Sequence, residues 1–125
     1  MLNFAIVFLG AGIGGALRHG VNLGAARMIG PGIGYGTIIV NIVGSFAMGA
    51  LAAYFAFKGE ATQPWRLFLT TGILGGFTTF SAFSLDAALY YERGEIGSAA
   101  LYIAVSVVLS IAALFAGLFI VRQLA

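Results

Sequence analysis

Four stretches free of charged side chains divide this chain, at positions 1–17, 36–57, 67–85 and 96–121. A helix that crosses a bilayer needs about 20 apolar residues, with a range of roughly 17–25. The last three stretches meet that length directly. The first meets it if the helix continues past Arg18 toward Arg27. The pattern therefore predicts one all-α domain over 1–125, with helices at about 2–28, 34–57, 65–91 and 95–122. Breakers fall between them: Gly30-Pro31-Gly32, the segment from Lys58-Gly59-Glu60 through Pro64, and Glu92-Arg93-Gly94-Glu95. Glycine and proline mark turns there by supplying special backbone angles or ending a helix. The first stretch lacks a basic leader and is followed by three more apolar segments, so it reads as a retained helix and not a cleaved signal.

Polar residues interrupt the apolar runs at regular intervals. Thr37, Asn41 and Ser45 recur four apart, and so do Tyr102, Ser106 and Ser110. Residues four apart share one helical face, so two helices each carry a polar stripe. Polar groups are costly in lipid and turn toward a bundle interior or an aqueous path. Each stripe is thus either glue between helices or the wall of a pathway. The stripes hold hydroxyls and an amide, whose O–H and N–H groups suit an anion. They hold no carboxylate. Asp86, the acid nearest an apolar run, reads as a helix-end or loop contact close to Glu92.

The third run contains Gly72-Ile73-Leu74-Gly75-Gly76-Phe77-Thr78-Thr79-Phe80-Ser81-Ala82-Phe83-Ser84. Two adjacent glycines followed by two β-branched threonines make a poor helix centre. The helix there is either kinked, with threonine bonding back to its own backbone, or broken. A break would free carbonyls that can coordinate a small cation, and irregular backbone at that depth must be buried or line a cavity. Phe80 and Phe83 lie near one face. Their positive ring edges can meet a poorly hydrated anion, and ordinary packing explains them equally.

Composition makes lipid the natural solvent. Sixty-one per cent of residues are hydrophobic and 8% are charged, against about 25% charged in a soluble domain. There is no cysteine, one histidine (His19) and a net charge of +2. Thiolate metal sites and disulfides are excluded, and no basic stripe exists for nucleic acid. Nineteen glycines suit close helix packing, and Gly10/Gly14 and Gly20/Gly24 have small-xxx-small spacing. With four spans, Lys58, Arg66 and Arg122 share one side and Arg18, Arg27 and Arg93 the other. The positive-inside rule needs an excess on one side. Its absence implies either insertion in both orientations or a weakly biased topology in which Arg18 lies too deep to count.

Three blocks resemble the Fluc (CrcB) family of fluoride channels: Gly10-Ala11-Gly12-Ile13-Gly14-Gly15-Ala16-Leu17-Arg18, then Gly36 through Phe46 with Asn41 and Ser45, then Gly72 through Asp86. With the fourth helix the likeness covers nearly the whole chain. It implies an antiparallel, dual-topology homodimer with two fluoride pores, a third helix broken near its middle, and a central structural sodium ion. By that likeness Asn41 is a pore donor, and Phe80 and Phe83 line the path with their ring edges. Ser81, Tyr102, Ser106 and Ser110 form its polar track, beside Thr37. The carbonyls of Gly75 and Thr78 hold the sodium, and Arg18 sits near the pore entrance or anchors the first helix. Ala82 stands where threonine is common, Asp86 where glutamate is, and His19 where an aromatic is frequent.

The expectation is a passive, multi-pass fluoride channel of the inner (plasma) membrane, whose partners are fluoride, the lipid bilayer and a second copy of itself. A small multidrug-type exporter would need a carboxylate in the first helix, and 1–17 has none. A non-transporting membrane assembly protein would need no polar stripes. No nucleophile–base pair or metal cluster suggests an enzyme.

Overall fold

A computed structural model describes residues 1–30, 32–58 and 63–124. The described residues are helical apart from short connections. Helix α1 spans Leu2–Met28 and α2 spans Tyr35–Lys58. The third span is assembled from pieces. It begins with α3 at Gln63–Leu67, widens into a π-helical turn at Phe68–Leu74, and tightens into α4 at Gly75–Phe77. Between Phe77 and Ser81 the chain leaves helical geometry, and α5 then runs Ser81–Glu92. Helix α6 spans Ile96–Leu124. Four stretches, Leu2–Met28, Tyr35–Ala56, Pro64–Glu92 and Ile96–Leu124, are long and apolar enough to cross a membrane. At about 1.5 Å per residue each of them exceeds a hydrocarbon layer about 30 Å thick. The turn expected at Glu92–Glu95 is present, with Gly94 at φ +78. Pro31, and the connection through Gly59, Glu60 and Thr62, lie outside the described residues.

The helices pack in two halves. Helix α2 lies along α6, where Gly117 has no room for a Cβ beside the Phe46 carbonyl. Helix α1 lies along the π-helical turn and α4. Gly10 and Gly14 make that approach possible: a Cβ on Gly10 would sit 2.8 Å from the Phe68 carbonyl, and one on Gly14 would overlap the Ile73 carbonyl. The other small-residue pair, Gly20 and Gly24, faces open space. The third span therefore changes partners along its length. Its first half leans on α1, and after Phe80 its second half, α5, leans on α6. Few side chains are interior. Val40 is wholly buried, whereas large apolar residues such as Phe4, Phe8, Phe115 and Phe119 lie exposed. A surface this apolar is fitted to lipid or to another apolar chain.

Candidate functional site

The site is built where the third span changes partners. Thr78 is extended, at φ −88 and ψ 160. The sequence permits this because Gly75 and Gly76 hold a helix weakly and Thr78 and Thr79 are β-branched. Helix α2 then supplies what the interrupted helical ladder lacks. The Asn41 Nδ2 donates to the Thr79 carbonyl at 3.0 Å, and the Thr79 N–H donates to Asn41 Oδ1 at 2.8 Å. One amide side chain thus satisfies both polar groups of one peptide residue, which buried backbone requires. The Ala82 N–H donates to Thr79 Oγ1 at 3.1 Å, serving one of the orphan donors at the start of α5. Thr78 Oγ1 donates to the Leu74 carbonyl at 2.9 Å. From the other side, Arg18 Nε donates to the Gly76 carbonyl at 3.2 Å. Gly44, one turn along α2 from Asn41, leaves the room that the Thr78 methyl occupies.

Beside this segment lies an open cavity of about 290 Å³, walled by Asn41, Ser45, Thr78, Phe83, Ser106 and Ser110, with Phe80 at its edge. Two members of each polar stripe, Asn41 and Ser45 from one and Ser106 and Ser110 from the other, therefore face the same space. Ser106 is 4% exposed, and its hydroxyl has no hydrogen-bond partner among the described residues. Buried hydroxyls are normally bonded, so this one is available to whatever enters the cavity. Asn41 offers less than its side chain promises. With one N–H and its oxygen committed to Thr79, a single N–H remains for a guest. The Phe80 and Phe83 rings are 5.4 Å apart and tilted by 52°. Phe83 is 8% exposed and Phe80 is 76% exposed.

A second cavity, of about 350 Å³, lies toward the connection between α1 and α2 and is walled by Asn22, Tyr35, Thr37, Ala82 and Asp86. Tyr102 touches the walls of both. Its ring stacks on Phe83 at 5.5 Å and 25°, and its hydroxyl donates to Asp86 Oδ2 at 2.9 Å.

The first cavity thus gathers Asn41, Phe80, Phe83, Ser106, Ser110 and Thr78. Thr37 belongs to the second. Ser81 is exposed and lies outside both, its hydroxyl 3.2 Å from that of Thr79. Arg18 reaches the backbone of α4, and Gly75 is exposed on the face of the subunit. Asp86 departs from its expected place. It lies within α5 and bonds to a neighbouring helix, not to a loop. The pairing had a sequence signal: residues 86 and 102 lie equally far from Gly94 (94 − 86 = 8, 102 − 94 = 8), the turn of an antiparallel helix pair. Thr79, the residue Asn41 clasps, had no signal beyond its neighbours.

Residues 5–118 match the family described as CrcB-like protein, Camphor Resistance (CrcB). A protein of Nitrobacter hamburgensis named fluoride-specific ion channel FluC 2 is 58% identical over 123 residues, 98% of this chain and 99% of its own length. One of Methylobacterium nodulans named fluoride-specific ion channel FluC is 60% identical, covering 98% of both chains. Another so named, from Agrobacterium fabrum, is 51% identical over 99% of both.

Proposed function

This chain belongs to the CrcB family, and from that premise we propose that it is a passive, fluoride-selective channel of the plasma membrane, working as an antiparallel homodimer with two pores. Its four apolar spans make it a multi-pass membrane protein, and its relatives are named as ion channels, not enzymes. The observation that carries the reading is the chemistry of the first cavity. It presents the free N–H of Asn41 and the hydroxyls of Ser45, Ser106 and Ser110, with no carboxylate among the described residues of its wall. Of these the buried Ser106 hydroxyl, unpartnered among the described residues, is the sharpest. Such donors can replace part of an anion's hydration shell, and the ring edges of Phe80 and Phe83 present positive potential beside them.

The cavity is open in a lone subunit, and Phe80 and Ser81 lie exposed beside it. Facing lipid, those hydroxyls would be costly. A second copy related by a two-fold axis in the membrane plane covers the cavity and duplicates it, giving two paths. A chain that inserts in both orientations supplies such pairs.

The backbone near Thr78 fits a hard cation held by oxygens. The Thr79 N–H, which a continuous helix would give to the Gly75 carbonyl, goes to Asn41 instead, and Thr78 is extended. The carbonyls of Gly75 and Thr78 from two subunits would hold a sodium ion, which supplies positive charge at the centre of the dimer and joins the subunits. Hydrogen fluoride crosses lipid as a neutral acid and ionises at neutral pH, and the trapped anion then leaves through the channel. An inside-negative potential favours exit by about 2.3 kcal/mol per 100 mV.

The test is growth. Expression in a bacterial strain lacking its own fluoride exporter should restore growth on fluoride-containing medium, and expression of Asn41→Asp should not. Failure of the wild-type chain to restore growth while present in the membrane would contradict the proposal.

A further inference from the structure

We propose that Asp86 is a positioning residue that sets the Phe83 ring by holding the hydroxyl of Tyr102, so that Tyr102 serves the ion path through its ring and not as a donor to the anion. The inference rests on the fluoride-channel reading. A tyrosine hydroxyl has one O–H to give, and that of Tyr102 goes to Asp86 Oδ2 at 2.9 Å. What the oxygen can still present is lone-pair density, which repels an anion. Tyr102 is also held on more than one side. Its ring stacks on Phe83 at 5.5 Å and 25°, and it lies 5.5 Å from the Tyr90 ring at 50°. Tyr90 is itself fixed, because its hydroxyl donates to the Ile33 carbonyl at 2.9 Å. The tyrosine is 5% exposed, so it has little freedom to turn toward a passing ion. Asp86, Tyr102 and Phe83 therefore form a chain that runs from the second cavity to the wall of the first. The carboxylate at one end fixes the azimuth of the aromatic edge at the other.

The two roles for Tyr102 give different patterns across four variants, each reconstituted in liposomes after eluting as a folded species of wild-type size. Positioning predicts that Asp86→Ala and Tyr102→Phe each lower fluoride efflux about ten-fold, as expected for one lost hydrogen bond to a charged group. The double variant should be no slower than either single one. Asp86→Asn keeps an acceptor oxygen and should recover most of the loss seen in Asp86→Ala, together with the discrimination against chloride. A merely structural role for the carboxylate would leave that discrimination unchanged in every variant that folds. If Asp86→Ala runs at or above the wild-type rate while Tyr102→Phe is slow, the hydroxyl donates to the ion and the inference is wrong. It is equally wrong if Asp86→Asn is as slow as Asp86→Ala, or if discrimination never changes. Wild-type liposomes that retain fluoride would overturn the channel reading and this inference with it. Wild-type liposomes that release fluoride, with unaffected variants, overturn the inference alone.

Discussion

At the scale of single residues, Asn41 performs two tasks with one amide. It clasps Thr79 through both its atoms, and it lines the cavity with one N–H uncommitted to Thr79. Asn41→Asp damages both. It sets a carboxylate oxygen against the Thr79 carbonyl, and it puts a negative charge beside a passing anion. Repulsion at ~4 Å is about 4 kcal/mol at an effective dielectric of ~20, which slows flux about a thousand-fold. A fluoride electrode reading efflux from liposomes measures this. The two phenylalanines should separate under one substitution. Phe80→Ile and Phe83→Ile both lose the ring edge, so both should slow fluoride efflux. Phe83 is buried against Tyr102, whereas Phe80 is largely exposed in one subunit. Phe83→Ile should therefore also lower the unfolding temperature of the detergent-solubilised protein, as shape changes in packed interiors do. Phe80→Ile should lower it less. An equal drop for both would contradict the packing described.

At the scale of elements, the third span is the part that positions everything else, and α1 holds its first half in place. Two glycine pairs with the same spacing on α1 should behave differently. Gly14→Ala forces a methyl into the Ile73 carbonyl, and Gly20→Ala meets nothing. Gly14→Ala should sharply lower thermal stability in detergent. Gly20→Ala should be neutral or stabilising by about 0.5–1 kcal/mol through helix propensity. The four spans were legible in the sequence because lipid demands a run of apolar residues, and a run is a one-dimensional signal. The stripes at Thr37-Asn41-Ser45 and Tyr102-Ser106-Ser110 were legible as faces for the same reason. Which neighbour each face meets was not. Arg18 finds the Gly76 carbonyl 58 positions away and Asn41 finds Thr79 38 positions away. Helical periodicity reports the direction of a side chain and not the element that crosses it. The partners of Gly10/Gly14 were hidden likewise, since identical spacing at Gly20/Gly24 packs against nothing. Asp86 was misread because its nearness to Glu92 in sequence suggested a helix end, while the antiparallel register of α5 and α6 places it against Tyr102.

At the scale of the whole molecule, one subunit has too little interior to shield an ion, and its polar cavity opens on its own surface. The account therefore requires two copies, and the balanced charges allow both orientations. Adding two or three Lys near Glu60 should hold the connection after Lys58 in the cytoplasm of most copies. A population so locked cannot pair antiparallel, and fluoride resistance should fall. Co-expression with a variant carrying the added Lys near Gly94 should restore it. A reporter fused to the C-terminus and found on one side only, in the wild-type protein, would contradict dual insertion. The central claim is selectivity for fluoride through a donor-lined path. It is tested most directly by purified wild-type protein in liposomes loaded with equal fluoride and chloride, with both ions read by electrodes after the membrane potential is clamped. The account predicts rapid fluoride efflux with chloride retained. Equal release of the two ions, or release of neither, would contradict it.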